Sequence, residues 1–216
     1  MVVAPFLFYS GFGIMKSIQI KGDSYVKQIM KKRFPQVLFD FMRAVILFLI
    51  LNLVLGKTYF LKQILLSFIG WESIGNSNWY ILGILLLYIA TFVSFTLVRA
   101  CKGIKKDVLG CILLSLLISG IVCLLKISGK PSYYYNTLIL YALGGWYVIF
   151  QEKIESCIMK NEFVYIFVVM IISCLYCLGY FQRWNYGILS YTAYAVMFII
   201  LLILIIQEQM VNIRNL

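Results

Sequence analysis

Long runs of apolar residues alternate with short polar, mostly basic segments along this chain. The full-length runs are residues 36–55, 79–98, 108–125, 132–150, 163–181 and 186–206. Each is close to the roughly 20 residues that a helix needs to cross a hydrocarbon core about 30 Å thick. Runs such as MFIILLILII (197–206) are apolar on every face, whereas β-barrel strands alternate. The pattern therefore predicts an all-α, polytopic transmembrane bundle with six full spans, in one domain over residues 1–216.

A seventh apolar stretch, residues 1–15, is too short to cross a bilayer alone. No charged segment precedes it and no small-residue cleavage site follows it, which argues against a secretory signal peptide. The stretch predicts a partial N-terminal span, as in a chain truncated within a helix.

Composition agrees with a membrane protein. Apolar residues make up 63% of the chain and charged residues 12%, against about 25% charged in soluble domains. A soluble globular protein is excluded on this balance, and membrane lipids are the first expected partners.

Positive charge is distributed unequally between the predicted loops. The segments 16–33, 99–106, 153–160 and 207–216 hold thirteen cations and fall on one side, while the intervening segments hold five. Because basic loops stay cytosolic, the bias predicts a multi-pass plasma-membrane protein with its N-terminus outside and its C-terminus in the cytosol. The net charge of +11 then reflects topology and attraction to anionic lipid, so nucleic acid is not an expected partner.

The six cysteines give little evidence for metal or redox chemistry. Cys174 and Cys177 have CxxC spacing, but they lie within an apolar run, and the chain has no histidine and no second CxxC pair. Thiols in such runs usually pack as small apolar groups. No metal site and no bound cofactor are expected.

Residues 57–79 separate the first two full runs and are amphipathic. Phe60, Leu61, Ile64, Leu65 and Phe68 recur at helical spacing, which predicts an interfacial helix. Such a helix anchors a protein more often than it guides a substrate.

Aromatic residues follow this segment on the predicted outer side. Trp79, like Tyr133–Tyr135, fits the aromatic belt of a membrane interface. Stacking of Trp79 on a sugar ring is the functional alternative, and the sequence does not separate the two.

Asp40 and Arg43 lie inside an apolar run and share one helix face, three residues apart. Charges at that depth are costly and often mark a substrate path. The structural alternative is an Arg43 side chain that snorkels to the interface with Asp40 as its local partner.

The basic segment before residue 36 is the remaining candidate site. A dense cation cluster at the cytosolic mouth of a bundle can bind the phosphates of a nucleotide-like donor, and arginine suits bidentate phosphate contacts. Any cytosolic loop that obeys the positive-inside rule has a similar composition.

Four stretches, in this order, carry a family resemblance. They are PFLFYSGFGIM (5–15), KGDSYVKQIMKKRFPQVL (21–38), NWYILGILLLY (78–88) and YNTLILYALGGWYVIFQEKIE (135–155). Together they resemble the acyltransferase 3 family, integral membrane enzymes that O-acylate sugars, peptidoglycan and lipids. They are similar to its aromatic Ser-Gly signature, its basic cytosolic segment, its tryptophan-led span and a later glycine-containing helix.

The resemblance implies acyl transfer, such as O-acetylation, from cytosolic acyl-CoA to a hydroxyl of an extracytoplasmic glycan or lipid of the cell envelope. Arg33, Lys32 and Lys31 would contact the phosphates of the donor. Ser10 and Gly11 would shape the tunnel beside the thioester.

The acceptor would lie near Trp79. The catalytic histidine that members of the family place in their first transmembrane helix has no counterpart, because this chain contains no histidine. The chain matches only the middle of the family's bundle, is interpreted as truncated at both ends, and is expected to be inactive alone. Its lysine-rich, isoleucine-rich composition is typical of a bacterium of low GC content.

Two functions of other classes remain open at this stage. One is a transporter or flippase for an anionic lipid-linked sugar, with Asp40 and Arg43 lining the path. The other is a non-catalytic membrane scaffold.

Overall fold

The computed structural model describes residues 3–158, 161–182 and 187–214, and all regular structure within them is helical. The α-helices are α1 (Val3–Lys21), α2 (Asp23–Gln28), α3 (Phe34–Val54), α4 (Leu61–Ser67), α5 (Trp79–Leu97), α6 (Gly103–Ile127), α7 (Ile139–Ile158), α8 (Glu162–Gln182) and α9 (Gly187–Arg214). A π-helical turn, Ile29–Arg33, joins α2 to α3, and a 3₁₀ turn, Ser132–Tyr134, precedes α7. The all-α prediction is confirmed.

Among the described residues, four helical segments are long and apolar enough to cross a membrane: Asp23–Val54, Trp79–Leu97, Lys105–Ile127 and Phe163–Phe181. The first has 32 residues and is about 48 Å long. That length exceeds the thickness of a hydrocarbon core. The basic first third of this segment precedes its apolar part. A fifth apolar segment, Thr192–Ile206, is shorter. The further spans expected at residues 132–150 and 186–206 stay a prediction.

Two element boundaries differ from the sequence expectation. The run at 132–150 becomes α-helical only at Ile139, and α7 continues into a charged second half that includes Lys153. The amphipathic helix expected over residues 57–79 is confined to the seven residues of α4. Gly70 and Gly75 adopt φ of 77° and 102°, values that L side chains rarely adopt, so the chain turns into a loop instead.

The chain divides into two compact units. Unit 1 comprises residues 1–16 and 139–216, and unit 2 comprises residues 17–138. The single domain expected over residues 1–216 stays a prediction.

Two glycines bring the backbones of α1 and α7 together in unit 1. A Cβ built on Gly11 would lie 2.0 Å from the carbonyl oxygen of Tyr141, and one on Gly144 would lie 2.1 Å from that of Phe8. No real side chain fits in that space. The contact is the small-residue packing by which apolar helices approach closely, since hydrocarbon provides little other drive for association.

Helix α5 is the most buried long helix of unit 2. Phe95 and Leu87 on α5 are essentially inaccessible to solvent. The ring of Phe95 lies so close to α6 that a Cβ on Gly110 would meet it at 2.4 Å. A smaller core cluster of Phe41, Val45 and Ile74 packs the loop before α5 against α3. Helix α5 is thus the central helix of unit 2, and polar groups lie at its two ends.

Candidate functional site

One end of unit 2 is organised by the carboxylate of Asp23, at the start of α2. This carboxylate accepts a hydrogen bond from Lys106 Nζ and lies 3.4 Å from Arg99 Nε. The Lys106 side chain is only 14% exposed, whereas that of Arg99 is 58% exposed. Nearby, Gln19 donates a hydrogen bond to Asp107 across 3.0 Å. The contacts join α1, α2, the end of α5 and α6 at a surface with excess positive charge.

A shallow pocket opens beside this network. It has a volume of about 70 Å³, and Lys27, Phe92 and Thr96 line it together with Asp23 and Arg99. The volume is far below the roughly 300 Å³ of a small-molecule site. The pocket is therefore suited to a small anionic group, such as one phosphate of a larger molecule, and not to a whole nucleotide.

The cationic segment that the sequence singled out lies on the π-helical turn Ile29–Arg33. Lys31, Lys32 and Arg33 are exposed there. The turn is explained by Pro35, which lacks an N–H and would clash with the carbonyl four residues earlier in a regular α-helix. Such turns occur frequently at functional sites.

Arg33 has an aromatic neighbour. Its guanidinium lies 5.3 Å from the ring centroid of Tyr25, and Lys21 Nζ lies 5.6 Å from the same centroid. Both distances fit cation–π contacts. A buried ring therefore orients Arg33, and this orientation distinguishes it from its exposed neighbours Lys31 and Lys32.

The opposite end of unit 2 is organised by the side chain of Asn78, which is 2% exposed and precedes α5. Its amide donates to the carbonyl oxygens of Gly70 at 2.8 Å and Glu72 at 2.7 Å. Its Oδ1 accepts a hydrogen bond from the hydroxyl of Tyr134 at 2.9 Å. One buried amide thus closes the loop of residues 70–78, here called the α5 loop, and ties it to the 3₁₀ turn.

Tyr134 acts as a donor in this contact. A phenol is protonated at neutral pH, so its hydroxyl can donate this hydrogen bond. The hydrogen bond to Asn78 is therefore retained throughout the physiological range.

Two further side chains hold the middle of the α5 loop. Asn52 on α3 donates to the carbonyl of Ile74 across 2.7 Å, and the Tyr59 hydroxyl donates to the same oxygen across 3.2 Å. The Ile74 side chain is fully buried. The α5 loop is consequently fixed on both its polar and its apolar sides.

Lys130 fixes the beginning of the same loop. Its ammonium donates to the Trp71 carbonyl, lies 3.8 Å from Glu72 Oε1, and lies 4.6 Å and 5.5 Å from the rings of Trp71 and Tyr134. The side chain is 12% exposed. The charge of Lys130 is therefore stabilised by contacts within the protein and is not available to bind a ligand.

A cavity of about 360 Å³ lies between the α5 loop and the 3₁₀ turn. Its lining combines hydroxyl and amide groups with aromatic rings: Ser73, Asn76, Ser77, Asn78, Trp79, Tyr133 and Tyr134. The rings of Trp79 and Tyr133 meet edge to face, with centroids 6.1 Å apart. Hydrogen-bonding groups beside aromatic faces suit a neutral, hydroxyl-rich ligand. Trp79, predicted from the sequence, is part of this cavity.

Asp40 and Arg43 form the expected pair on α3. The distance from Arg43 Nη1 to Asp40 Oδ1 is 2.9 Å, and the side chains of Arg43 and Asp40 are 77% and 59% exposed. They do not line any of the cavities given above. The structure confirms their pairing, and their role in substrate binding stays a prediction.

Ser10 and Gly11 lie on α1 within unit 1. Ser10 is partly buried, and Gly11 makes the backbone contact with Tyr141 described above. The close packing gives Gly11 a structural reason to be glycine. A role of either residue beside a thioester stays a prediction.

Sequence reasoning did not single out Arg99, Lys106 or Asn78 as site residues. The first two belong to the second basic segment, which the charge bias placed on the same side as residues 16–33. Their predicted position on the same side of the membrane was the sequence signal that these residues lie near residues 16–33. Asn78 is one polar residue in a loop rich in serine and asparagine, and only the folded loop distinguishes it.

Comparisons of this chain with protein-family models, with curated protein sequences and with solved structures found no match.

Proposed function

We propose that this chain is part of a membrane O-acyltransferase of the acyltransferase 3 type. The reaction would transfer an acyl group from cytosolic acyl-CoA to a hydroxyl of an extracytoplasmic glycan or lipid. The thioester C–S bond breaks, an ester C–O bond forms, the acceptor hydroxyl loses its proton and CoA leaves as the thiol.

One observation carries the proposal: the two polar sites of unit 2 lie at opposite ends of α5. This helix has 19 residues and is about 28 Å long, close to the thickness of a hydrocarbon core. The cationic pocket at its C-terminal end suits an anionic donor, and the aromatic cavity at its N-terminal end suits a hydroxyl-rich acceptor. An enzyme that joins a cytosolic donor to an external acceptor needs one binding site on each side of the membrane.

Lys27 and Arg99 are the residues we assign to the donor phosphates, together with Arg33, Lys32 and Lys31. The first two line the pocket, and Arg33 is oriented by Tyr25. At the other end, Trp79 would lie beside the acceptor.

The base that removes the acceptor proton is not among these residues. Imidazole is the common choice at neutral pH, and the chain contains no histidine. We therefore expect the 216 residues to bind the donor without transferring its acyl group.

The proposal includes a topology. The four long apolar helices, together with α9 and the run that contains the first part of α7, would make six full spans, with the first part of α1 as a partial one. Residue 1 would lie outside and residue 216 in the cytosol of a plasma membrane. In this topology the cationic pocket would open to the cytosol, where acyl-CoA is made.

A transporter or flippase for an anionic lipid-linked sugar is the second candidate, and the Asp40–Arg43 pair favours it. Both charges lie within the apolar helix α3, where ionisable residues often mark a transport path. Such a protein would move its substrate without covalent change.

Donor binding by the purified protein tests the enzymatic proposal. We expect acetyl-CoA to bind in isothermal titration calorimetry, and Lys27→Gln to weaken binding by about tenfold to a hundredfold because a charge-assisted hydrogen bond contributes about 1.5–3 kcal/mol. Lys57→Gln is the matched control, since Lys57 is exposed in the segment after α3. Equal affinities of the two variants, or no binding at all, would overturn the proposal.

Substrate counterflow in proteoliposomes distinguishes the transporter from the acyltransferase. Exchange of a lipid-linked sugar that is lost in Arg43→Gln and retained in Lys27→Gln would establish transport and displace the enzymatic assignment.

A further inference from the structure

The short helix α4 lies between the ends of two long apolar helices of unit 2. Six residues separate it from the end of α3 at Val54, and the eleven residues after Ser67 lead into α5 at Trp79. Both α3 and α5 belong to segments that are long and apolar enough to cross a membrane. A linker of six residues spans about 25 Å at most. Where α3 crosses a membrane, α4 therefore stays close to the surface at which α3 ends.

The beginning of α4 presents large apolar side chains to the outside. Phe60, Leu61 and Leu65 are 82%, 71% and 61% exposed. Leu61 and Leu65 are four residues apart and lie on the same face of the helix. Single exposed apolar residues are common on any protein, but three so close in sequence indicate an interaction surface. These three residues are here called the α4 patch.

The other end of α4 is fixed to the rest of unit 2. Ser67 is fully buried, and Phe68, which follows it, packs against the core cluster of Phe41, Val45 and Ile74. The sequence pattern grouped Phe68 with the apolar face of an interfacial helix, whereas the structure uses its ring as a core contact. The α4 patch is therefore held outward by the packing at the opposite end of the helix.

A hydrogen bond within the chain closes the start of α4. The Phe60 N–H donates to Gln63 Oε1 across 3.3 Å. The first N–H groups of a helix have no partner in its own backbone ladder, and they lose their bonds to water where they enter the apolar side of an interface. The side chain of Gln63 lowers this cost at the end of the helix that carries the α4 patch.

Two exposed lysines, Lys57 and Lys62, flank the α4 patch in sequence. Neither takes part in an ion pair of the described side chains, and residues 56–71 include no acidic residue. The next carboxylate along the chain, that of Glu72, lies 3.8 Å from Lys130 Nζ and has a cation of its own. A lysine can extend its ammonium to the headgroup layer while its methylene groups stay beside apolar side chains. Apolar residues with positive charge alone beside them are typical of a helix that lies in the interface of an anionic membrane.

We propose that α4 is an interfacial anchor, which inserts the α4 patch into the lipid leaflet at the N-terminal end of α5 and binds anionic phospholipid headgroups through Lys57 and Lys62. Lipid is favoured over a protein partner because α4 follows directly on a segment that can cross the membrane and because its free charges have one sign. The anchor is independent of the proposed acyltransferase, since none of its residues is assigned to the donor or to the acceptor.

Photocrosslinking of the whole chain in proteoliposomes tests the anchor. The vesicles contain equal parts of phosphatidylglycerol and phosphatidylcholine, and the probe is introduced as Leu65→p-benzoylphenylalanine. Gln63→p-benzoylphenylalanine is the matched control, because Gln63 is also exposed but lies about 160° around the helix from Leu65. We expect at least about ten times more lipid adducts at Leu65 by mass spectrometry, since the probe reacts only with C–H groups in contact with it. Both variants are first compared with the parent protein by size-exclusion chromatography and thermal unfolding.

The double substitution Lys57→Gln and Lys62→Gln, combined with the probe at Leu65, tests the headgroups. With both lysines present, phosphatidylglycerol adducts should exceed phosphatidylcholine adducts roughly fivefold, the factor that one lysine near an anionic surface contributes. In the double variant the two lipids should give nearly equal yields. Lys126→Gln, which changes an exposed lysine near the end of α6, is the control and should preserve the excess.

A crosslink from Leu65 to a second copy of the chain in place of lipid would overturn the anchor. Equal lipid yields at Leu65 and Gln63, or no lipid adduct at Leu65, would overturn it as well. An excess of phosphatidylglycerol that the double lysine variant leaves unchanged would contradict the role of Lys57 and Lys62. Should the Leu65 variant fail to fold, Leu61→p-benzoylphenylalanine carries the probe on the same face, and the same outcomes apply.

Discussion

Each of the two units is stabilised internally by a different kind of interaction. All four ion pairs found among the described side chains lie in unit 2, as do the buried hydrogen bonds of Asn78. In unit 1 the backbones of α1 and α7 approach closely at Gly11 and Gly144, beside an apolar groove. Unit 2 is organised by polar residues at the ends of its helices, and unit 1 by the close approach of the helices themselves.

This difference separates two kinds of ligand. Polar groups at the ends of α5 can bind water-soluble molecules or headgroups on either side of a membrane. A groove along apolar helices can bind only hydrocarbon. If the comparison is correct, substitutions at the ends of α5 will change the binding of polar ligands, and substitutions along the groove of unit 1 will change the binding of hydrocarbon.

The largest loss of stability is expected from Asn78→Leu. The substitution leaves the carbonyls of Gly70 and Glu72 and the hydroxyl of Tyr134 without their partner. Unsatisfied buried groups cost about 1–3 kcal/mol each, so the free energy of unfolding should fall by about 4 kcal/mol. Titration with SDS in mixed micelles measures this change.

Asn76→Leu is the control for Asn78. The Asn76 side chain accepts one hydrogen bond, from the Ile74 N–H at 3.2 Å, and is partly exposed. Its loss should cost about 1 kcal/mol. Equal effects of the two substitutions would show that Asn78 does not organise the α5 loop.

Gly11→Ala should destabilise unit 1 by about 2–3 kcal/mol. The new methyl group would overlap the Tyr141 carbonyl at 2.0 Å, and α1 and α7 would have to separate. Gly13→Ala, two residues later on α1, is the control because a methyl group there would have no other atom within 4 Å. We expect Gly13→Ala to be neutral or slightly stabilising, since alanine favours helix more than glycine does.

The measurement for the glycine pair is thermal unfolding in detergent. If Gly13→Ala is as destabilising as Gly11→Ala, helix packing at Gly11 is not the cause.

The contrast between units also explains what the sequence predicted. Apolar runs and basic loops are properties of single segments, so the all-α class, the helical apolar runs and the Asp40–Arg43 pair could be predicted. The contact of Gly11 with Tyr141 and the joining of Asp23 to Lys106 depend on which helices become neighbours. The extent of α4 depended on Gly70 and Gly75, whose φ values follow from the folded loop.

Lys130→Met should cost about 1–2 kcal/mol and loosen the α5 loop. The substitution keeps most of the apolar length but removes the ammonium that contacts the Trp71 carbonyl, Glu72 and two rings. Hydrogen exchange over residues 70–78 should rise. Lys126→Met, at an exposed position near the end of α6, should leave exchange unchanged, and a similar rise there would contradict the role of Lys130.

Asp23→Asn should have the smallest effect on stability and should strengthen ligand binding. Its partner Arg99 is well exposed, and asparagine keeps a side-chain oxygen that can accept the hydrogen bond from the mostly buried Lys106, so we expect a loss of about 1 kcal/mol. The same substitution releases Arg99 and Lys106 from their carboxylate and removes a negative charge from the pocket. Acetyl-CoA should therefore bind several-fold more tightly, whereas Lys27→Gln weakens binding. Tighter binding at nearly constant stability would show that Asp23 competes with the donor phosphates for these cations. Weaker binding would mean that Asp23 is needed to hold Arg99 and Lys106 in place, and the cationic end of unit 2 would then be a preorganised structure like the α5 loop.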